Sequence, residues 1–183
     1  MESLYWQSDD LGVDKEKARY WLVKAAESNP KAMVSLALKY CVGKRTDEAL
    51  ALCIKAGDMS CGQTKVEADR LTAQIYGDMS FAGYDPEKQK AYLLKALNVK
   101  PVPTDNGFDD EYARAASLLR AWFQLKNTNS PSESNVKNAA YCAVIAAVLD
   151  RDYADRLSEF AIRQSQFDAW AVDARNYNFH LSC

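Results

Sequence analysis

The sequence predicts an all-α protein: an α-α superhelix of stacked helix pairs with a helical C-terminal extension. Three observations carry this. A short pattern recurs, as DKEKARYWLVKAA at Asp14–Ala26, RTDEALALCIKAG at Arg45–Gly57 and DPEKQKAYLLKAL at Asp85–Leu97. Large apolar residues and alanines in it fall three or four apart, the spacing of one helix face. Capping residues stand at its boundaries, as Asn29-Pro30 and Asp85-Pro86, a side-chain acceptor just before a proline suited to the first helical turn. Self-similarity at this period is the mark of stacked helical hairpins.

The recurring element is the second helix of each pair, the B helix. Ala18, Ala49 and Gln89 correspond, as do Trp21, Leu52 and Tyr92, then Lys24, Lys55 and Lys95, then Ala25, Ala56 and Ala96. Trp21 and its equivalents are expected to pack, and the alanines to let helices approach closely. A first, A-type helix precedes the B helix in two copies. Ala32, Leu36, Ala37 and Tyr40 match Ala68, Thr72, Ala73 and Tyr76. The first copy enters midway, with Leu4 and Tyr5 where an A helix should end. Tyr5 lies 13 residues before Ala18, and Tyr76 lies 13 before Gln89. Asp14 and Thr46 are the expected caps of the other copies, and Gly43 and Gly57 are expected in turns after helices.

These residues resemble the Sel-one-like repeat family, relatives of tetratricopeptide repeats, over about residues 4–98. That family joins an A helix reading A-x3-L-G-x2-Y-x2-G to a B helix reading D-x2-K-A-x2-W-x2-K-A-A. Asp14, Lys17, Ala18, Trp21, Lys24, Ala25 and Ala26 match the B helix, and Ala32, Leu36, Tyr40 and Gly43 match the A helix, with Ala37 replacing a glycine. The third copy is looser, with Gln89, Tyr92 and Leu97 at altered positions. Ser8 and Asp10 replace loop glycines, and the first copy lacks most of its A helix. The missing layer comes either from upstream sequence or from another element, and a bare B helix makes that end a candidate for homodimerisation. The resemblance implies two and a half helix pairs over 1–98, an adaptor or regulator of bacterial type and, most sharply, an immunity protein that binds and neutralises a secreted toxin.

Residues 99–183 hold no firm repeat register and are expected to form a helical capping region or divergent hairpins. VKPVPTDNGFD breaks the pattern. A helix is expected from Asp109 to Leu125, opened by Asp109, Asp110 and Glu111. Ser130-Pro131-Ser132-Glu133 reads as a capping box before a buried helix over about Pro131–Leu149. A last helix is expected over Asp152–Ala174, then an irregular tail, ARNYNFHLSC.

Composition narrows the function. Apolar residues make up 48% and charged residues 26% of 183, enough for a core, and the net charge is -2 with no basic run, which disfavours nucleic acid. No apolar stretch reaches the roughly 18 residues of a membrane span, and MESLYWQSDDLG lacks a secretory core. The expected compartment is the cytoplasm, or the periplasm if a signal has been removed. The odd cysteine number, five, suits a reducing environment. His180 is the lone histidine, so no Ser-His-Asp or Cys-His pair is expected. His180 and Cys183 lack a second ligand pair for zinc. TDNGFDDE fails as a calcium loop, because Val102 and Thr104 fall where carboxylates belong. No metal and no cofactor is predicted, and catalysis is not expected. The alternative is an enzyme with a carboxylate site in the C-terminal half. The expected partner is another protein, a peptide or a folded domain, held on exposed A-helix positions: Met33, Lys39, Asp69, Arg70 and Gln74.

Overall fold

The computed structural model describes residues 15–181. The chain forms α1 (Lys15–Ala25), α2 (Pro30–Val42), α3 (Thr46–Met59), α4 (Gly62–Tyr76), α5 (Pro86–Leu97), α6 (Phe108–Asn129), α7 (Glu133–Leu149), a 3-10 helix (Arg151–Glu159) and α8 (Gln164–Arg175). No strand occurs among the described residues. The fold is all-helical, as its sequence periodicity predicts.

Local chemistry sets the helix starts. Asn29 Oδ1 accepts from the backbone N–H of Lys31 and Ala32, with Pro30 behind it, and Asp85 Oδ1 does the same for Glu87 and Lys88 ahead of Pro86. α4 has no cap of its own. Asp105, from the connection between α5 and α6, reaches across so that Oδ2 accepts from Gln63 N–H at 3.0 Å and Val102 N–H at 2.9 Å. Gly62 permits this contact. Its φ is +55°, and a Cβ there would stand 2.4 Å from Asp105 Oδ2.

Each helix from α1 to α6 packs on the next, and the 3-10 helix and α8 both pack on α7. In addition α2 touches α4, and α4 touches α6, so alternate helices also meet. The A-helix register holds in the core, because Ala32, Leu36, Ala37, Ala68, Thr72 and Ala73 are all buried. One buried cluster joins α2, α3 and α4 around Met33, Leu36, Cys53 and Ala56. A second centres on Leu93, Tyr112, Leu119 and Ile145. Tyr112 is fully buried and its hydroxyl donates to Leu97 O at 2.7 Å.

The recurring lysines have a shared task. Lys55 Nζ reaches Glu27 O at the end of α1, and Lys95 Nζ reaches Asp58 Oδ1 near the end of α3. Glu27 and Asp58 each stand three residues beyond the lysine of the preceding copy. Each B helix thus sets a cation at the C-terminal end of the one before it, where the helix dipole favours positive charge. The lysine recurs because the neighbour recurs.

Several boundaries differ from expectation. Gly57 lies buried inside α3, not in a turn, because its bare Cα faces Asp69: a Cβ would come 2.9 Å from Oδ1. Thr46 is the first residue of α3, and Arg45 takes the cap position without a side-chain bond. Ser132, not Ser130, caps α7 by accepting from Asn135 N–H. The expected single last helix is broken at Phe160–Arg163 into the 3-10 helix and α8. No proline or glycine marks the break. Glu159 instead binds Arg120 and Gln124 of α6, and Phe160 packs on the second cluster, so tertiary contacts outweigh continuity. The tail is irregular yet packed. Tyr177 (φ 51°) rests on Phe108 and Tyr112, and Tyr141 donates to Asn178 O at 3.0 Å. Asp14, Leu4, Tyr5, Ser8, Asp10 and Cys183 lie outside the described residues.

Candidate partner-binding face

Helices α2, α4 and α6 present one continuous side, since α4 touches both others. The five expected partner contacts divide on it. Lys39 and Gln74 are exposed. Met33 and Asp69 are fully buried and Arg70 is nearly so. The premise that all five are exposed is therefore corrected for Met33, Asp69 and Arg70. The cause is crowding. α2 packs on α1, α3 and α4, and α4 on α2, α3, α5 and α6. Helices with three or four neighbours leave only a narrow strip to solvent, whereas a two-faced helix model leaves half. Met33 and Asp69 occupy equivalent positions, 36 residues apart, and both turn inward. Trp21 is corrected in the opposite sense: its equivalents Leu52 and Tyr92 are half-buried, but Trp21 is 62% exposed.

The buried polar groups of α4 tie its neighbours together. Asp69 lies between Lys65 Nζ at 3.3 Å and Lys95 Nζ at 3.2 Å. Neither carboxylate oxygen gains a well-directed hydrogen bond, so the attraction is Coulombic. Lys65 spends its directed bond on Gly57 O at 2.7 Å. Lys95 has a raised proton affinity: burial opposes its charge, but Asp69 and Asp58 outweigh that. Arg70 Nε donates to Glu111 Oε2 of α6 at 2.7 Å, and its Nη1 donates to Gln74 Oε1 at 2.5 Å. Glu111 Oε1 also accepts from Arg114 at 2.9 Å. Arg70 and Gln74 are thus brought together, as a structural brace with one exposed end.

Beside this brace stands a carboxylate of another kind. Glu67, half-buried one turn before Leu71, has its proton affinity raised, first by burial and then by the nearby charge of Glu111, with Arg70, Lys31 and Arg114 acting against. On the other side of Gln74 the face opens into an apolar cleft of about 300 Å3 between α2 and α4. Leu38, Cys41, Leu71 and Ile75 form its floor, and Thr46, Gln74 and Asp78 its rim. Leu38 and Gln74 are equivalent, again 36 residues apart, and both are exposed. Gln74 is among the expected contacts, and Leu38 is not. The signal was available, because two residues of one register position share one exposure.

The C-terminal half carries a separate open cleft of about 300 Å3 between α7 and α8, lined by Val136, Ile162 and Trp170 with Glu133 and Glu159 at its edge. Glu159 has its proton affinity lowered by the Gln124 hydrogen bond and by Arg156 and Arg120. Among the described residues no group of three or more His, Cys, Asp or Glu side chains is placed to hold a metal. No described helix is long and apolar enough to cross a membrane.

No protein-family model, no curated protein and no solved structure matches this chain.

Proposed function

We propose that this chain is a non-catalytic protein-binding module, and that it grips another polypeptide on the side formed by α2, α4 and α6. The supporting observation is the cleft at Leu38 and Leu71, apolar in its floor and polar at its rim, whose rim residue Gln74 also accepts from Arg70 of the Arg70–Glu111–Arg114 brace. That is the composition of a specific protein interface: a desolvated apolar centre bordered by fixed polar groups. The brace holds the neighbouring helices, so the surface is organised before a partner arrives. Gln74 and Lys39 are the contacts retained from the sequence, with Leu38 added.

The internal repeats support the finer architecture, a Sel-one-like α-α superhelix in which α2/α3 and α4/α5 are successive pairs. Within that family resemblance, the sharpest assignment is a bacterial immunity protein, acting in the cytoplasm against one folded toxin. The test is capture from native lysate followed by mass spectrometry, run in parallel with Leu38→Asp and Gln74→Arg. Val172→Asp, on exposed α8, serves as control. A stoichiometric partner kept by wild type and control and lost by the two face variants supports the assignment. A partner indifferent to Leu38 and Gln74 refutes it.

A further inference from the structure

Asparagine is followed by glycine at one place in the chain, Asn106-Gly107, in the connection between α5 and α6. Such a dipeptide marks a bend, and glycine has no side chain to shield its own N–H. Asn106 is exposed. Both residues line an open, polar cleft of about 380 Å3 beside Asp105, Asp109 and Tyr177, so water reaches them. Among the described residues neither the Asn106 carboxamide nor the Gly107 N–H has a hydrogen-bond partner. The other asparagines are tied. Asn29 precedes a proline, which has no N–H. After Asn98, Asn129, Asn135 and Asn176 the next N–H is engaged, by Ala96 O, Lys126 O, Ser132 O and Ala174 O. Asn127 and Asn138 stand inside α6 and α7, where the next N–H belongs to the helix ladder. Asn178 Oδ1 accepts from Lys100 Nζ at 2.9 Å.

We infer that Asn106 is a self-modification site, deamidating through a cyclic imide formed with Gly107. The Gly107 nitrogen gives up its proton to solvent and bonds to Asn106 Cγ. The Cγ–Nδ2 bond breaks, and the amide nitrogen takes a proton back and leaves as ammonia. Water then opens the ring. Opening at Cγ gives aspartate. Opening at the main-chain carbonyl gives isoaspartate, whose backbone runs through Cβ and Cγ and is longer by a carbon. The place makes that extra length felt. Asn106 and Gly107 span the gap between Asp105, whose carboxylate caps α4, and Phe108, buried at the start of α6. Asp105 is held through hydrogen bonds to Gln63 and Val102, whereas Phe108 is packed in the core, so Asp105 yields first. The connection thus carries a one-way change that loosens the cap of α4. The reaction needs no partner on the α2–α4–α6 side.

Peptide mass spectrometry of the full chain tests this. The folded protein and a urea-unfolded sample are held at pH 8 and digested at intervals. In the folded sample Asn106 is expected to convert ahead of every other asparagine, into both aspartate and isoaspartate, which fragmentation distinguishes. Gly107→Ala should slow the conversion severalfold. Its Cβ would crowd only the amide end of Gln63, so the fold accommodates it. Hydrogen exchange in the first turn of α4 should quicken about fivefold in the isoaspartyl form, the effect of losing one cap. It should stay unchanged in Asn106→Asp, which adds the charge without the length. Conversion confined to the urea sample overturns the proposal, because the folded connection would then protect Asn106. So does another asparagine reacting first, aspartate as the sole product, or a Gly107→Ala rate equal to wild type. Unchanged exchange in the isoaspartyl form overturns the consequence for α4.

Discussion

Removing the carboxylate of Glu111 strands a cation inside the protein. The Arg70 and Glu111 side chains are 9% and 8% exposed, and Nε and Oε2 meet at 2.7 Å across the contact between α4 and α6. In Glu111→Ala the guanidinium keeps one direct hydrogen-bond partner, the neutral Gln74, and only the more distant charge of Glu67. Breaking a buried pair from one side costs about 3–5 kcal/mol. For a chain of this size that lowers Tm by about 6–20 °C. Arg70→Met with Glu111→Leu removes both charges at similar volume, and such replacements are neutral or stabilising by about 1–4 kcal/mol. The double variant should therefore melt well above Glu111→Ala and near or above wild type. Urea unfolding of the three proteins at pH 7 measures these differences. If Glu111→Ala costs under about 1 kcal/mol, the pair behaves as a surface contact, and α4 is not braced to α6 as described.

Three further perturbations probe other parts. Gly62→Ala forces a side chain into the left-handed region, against Asp105. Strain of about 1–2 kcal/mol should add to a lost cap of about 1 kcal/mol, so it should melt below Asp105→Ala, measured by circular dichroism. Glu67→Gln removes a carboxylate whose proton affinity is raised in the fold. A raised carboxyl contributes stability present at low pH and lost as pH rises through its folded value. The variant should therefore gain on wild type at pH 7, with the gain vanishing as pH falls through the carboxylate range; a gain that grows on acidification would contradict the cause assigned. Finally, burial pushes the Cys53 thiol up to about 12 and raises Cys142 as well, while Cys61 is exposed. Peptide-level mass spectrometry after brief thiol labelling at pH 8 should find Cys61 modified and Cys53 and Cys142 intact.

The local parts of the fold were readable because their causes are local. Asn29 and Asp85 each sit beside a proline and cap as their chemistry requires. The alanines of the A helices mark the close contacts that Ala37 and Ala73 make. What escaped the sequence depends on neighbours distant in the chain. Asp105 capping α4 spans 42 residues, and the break after Glu159 follows from Arg120, 39 residues away. Asp69 looks like a solvent residue by type. It is buried because Gly57 leaves room for its carboxylate and Lys65 and Lys95 neutralise it. Of the five expected contacts, helix phase anticipated the exposure of Lys39 and Gln74 but not the burial of Met33, Asp69 and Arg70. Leu38 was not among them, since an apolar residue at a helical spacing reads first as core.

The most direct test is a hydrogen-exchange footprint of the chain with and without its captured partner. Added protection on the outward positions of α2, α4 and α6, strongest at Leu38, Leu71 and Gln74, is the predicted result. Protection confined to the cleft between α7 and α8, with the α2–α4–α6 side unchanged, would contradict it.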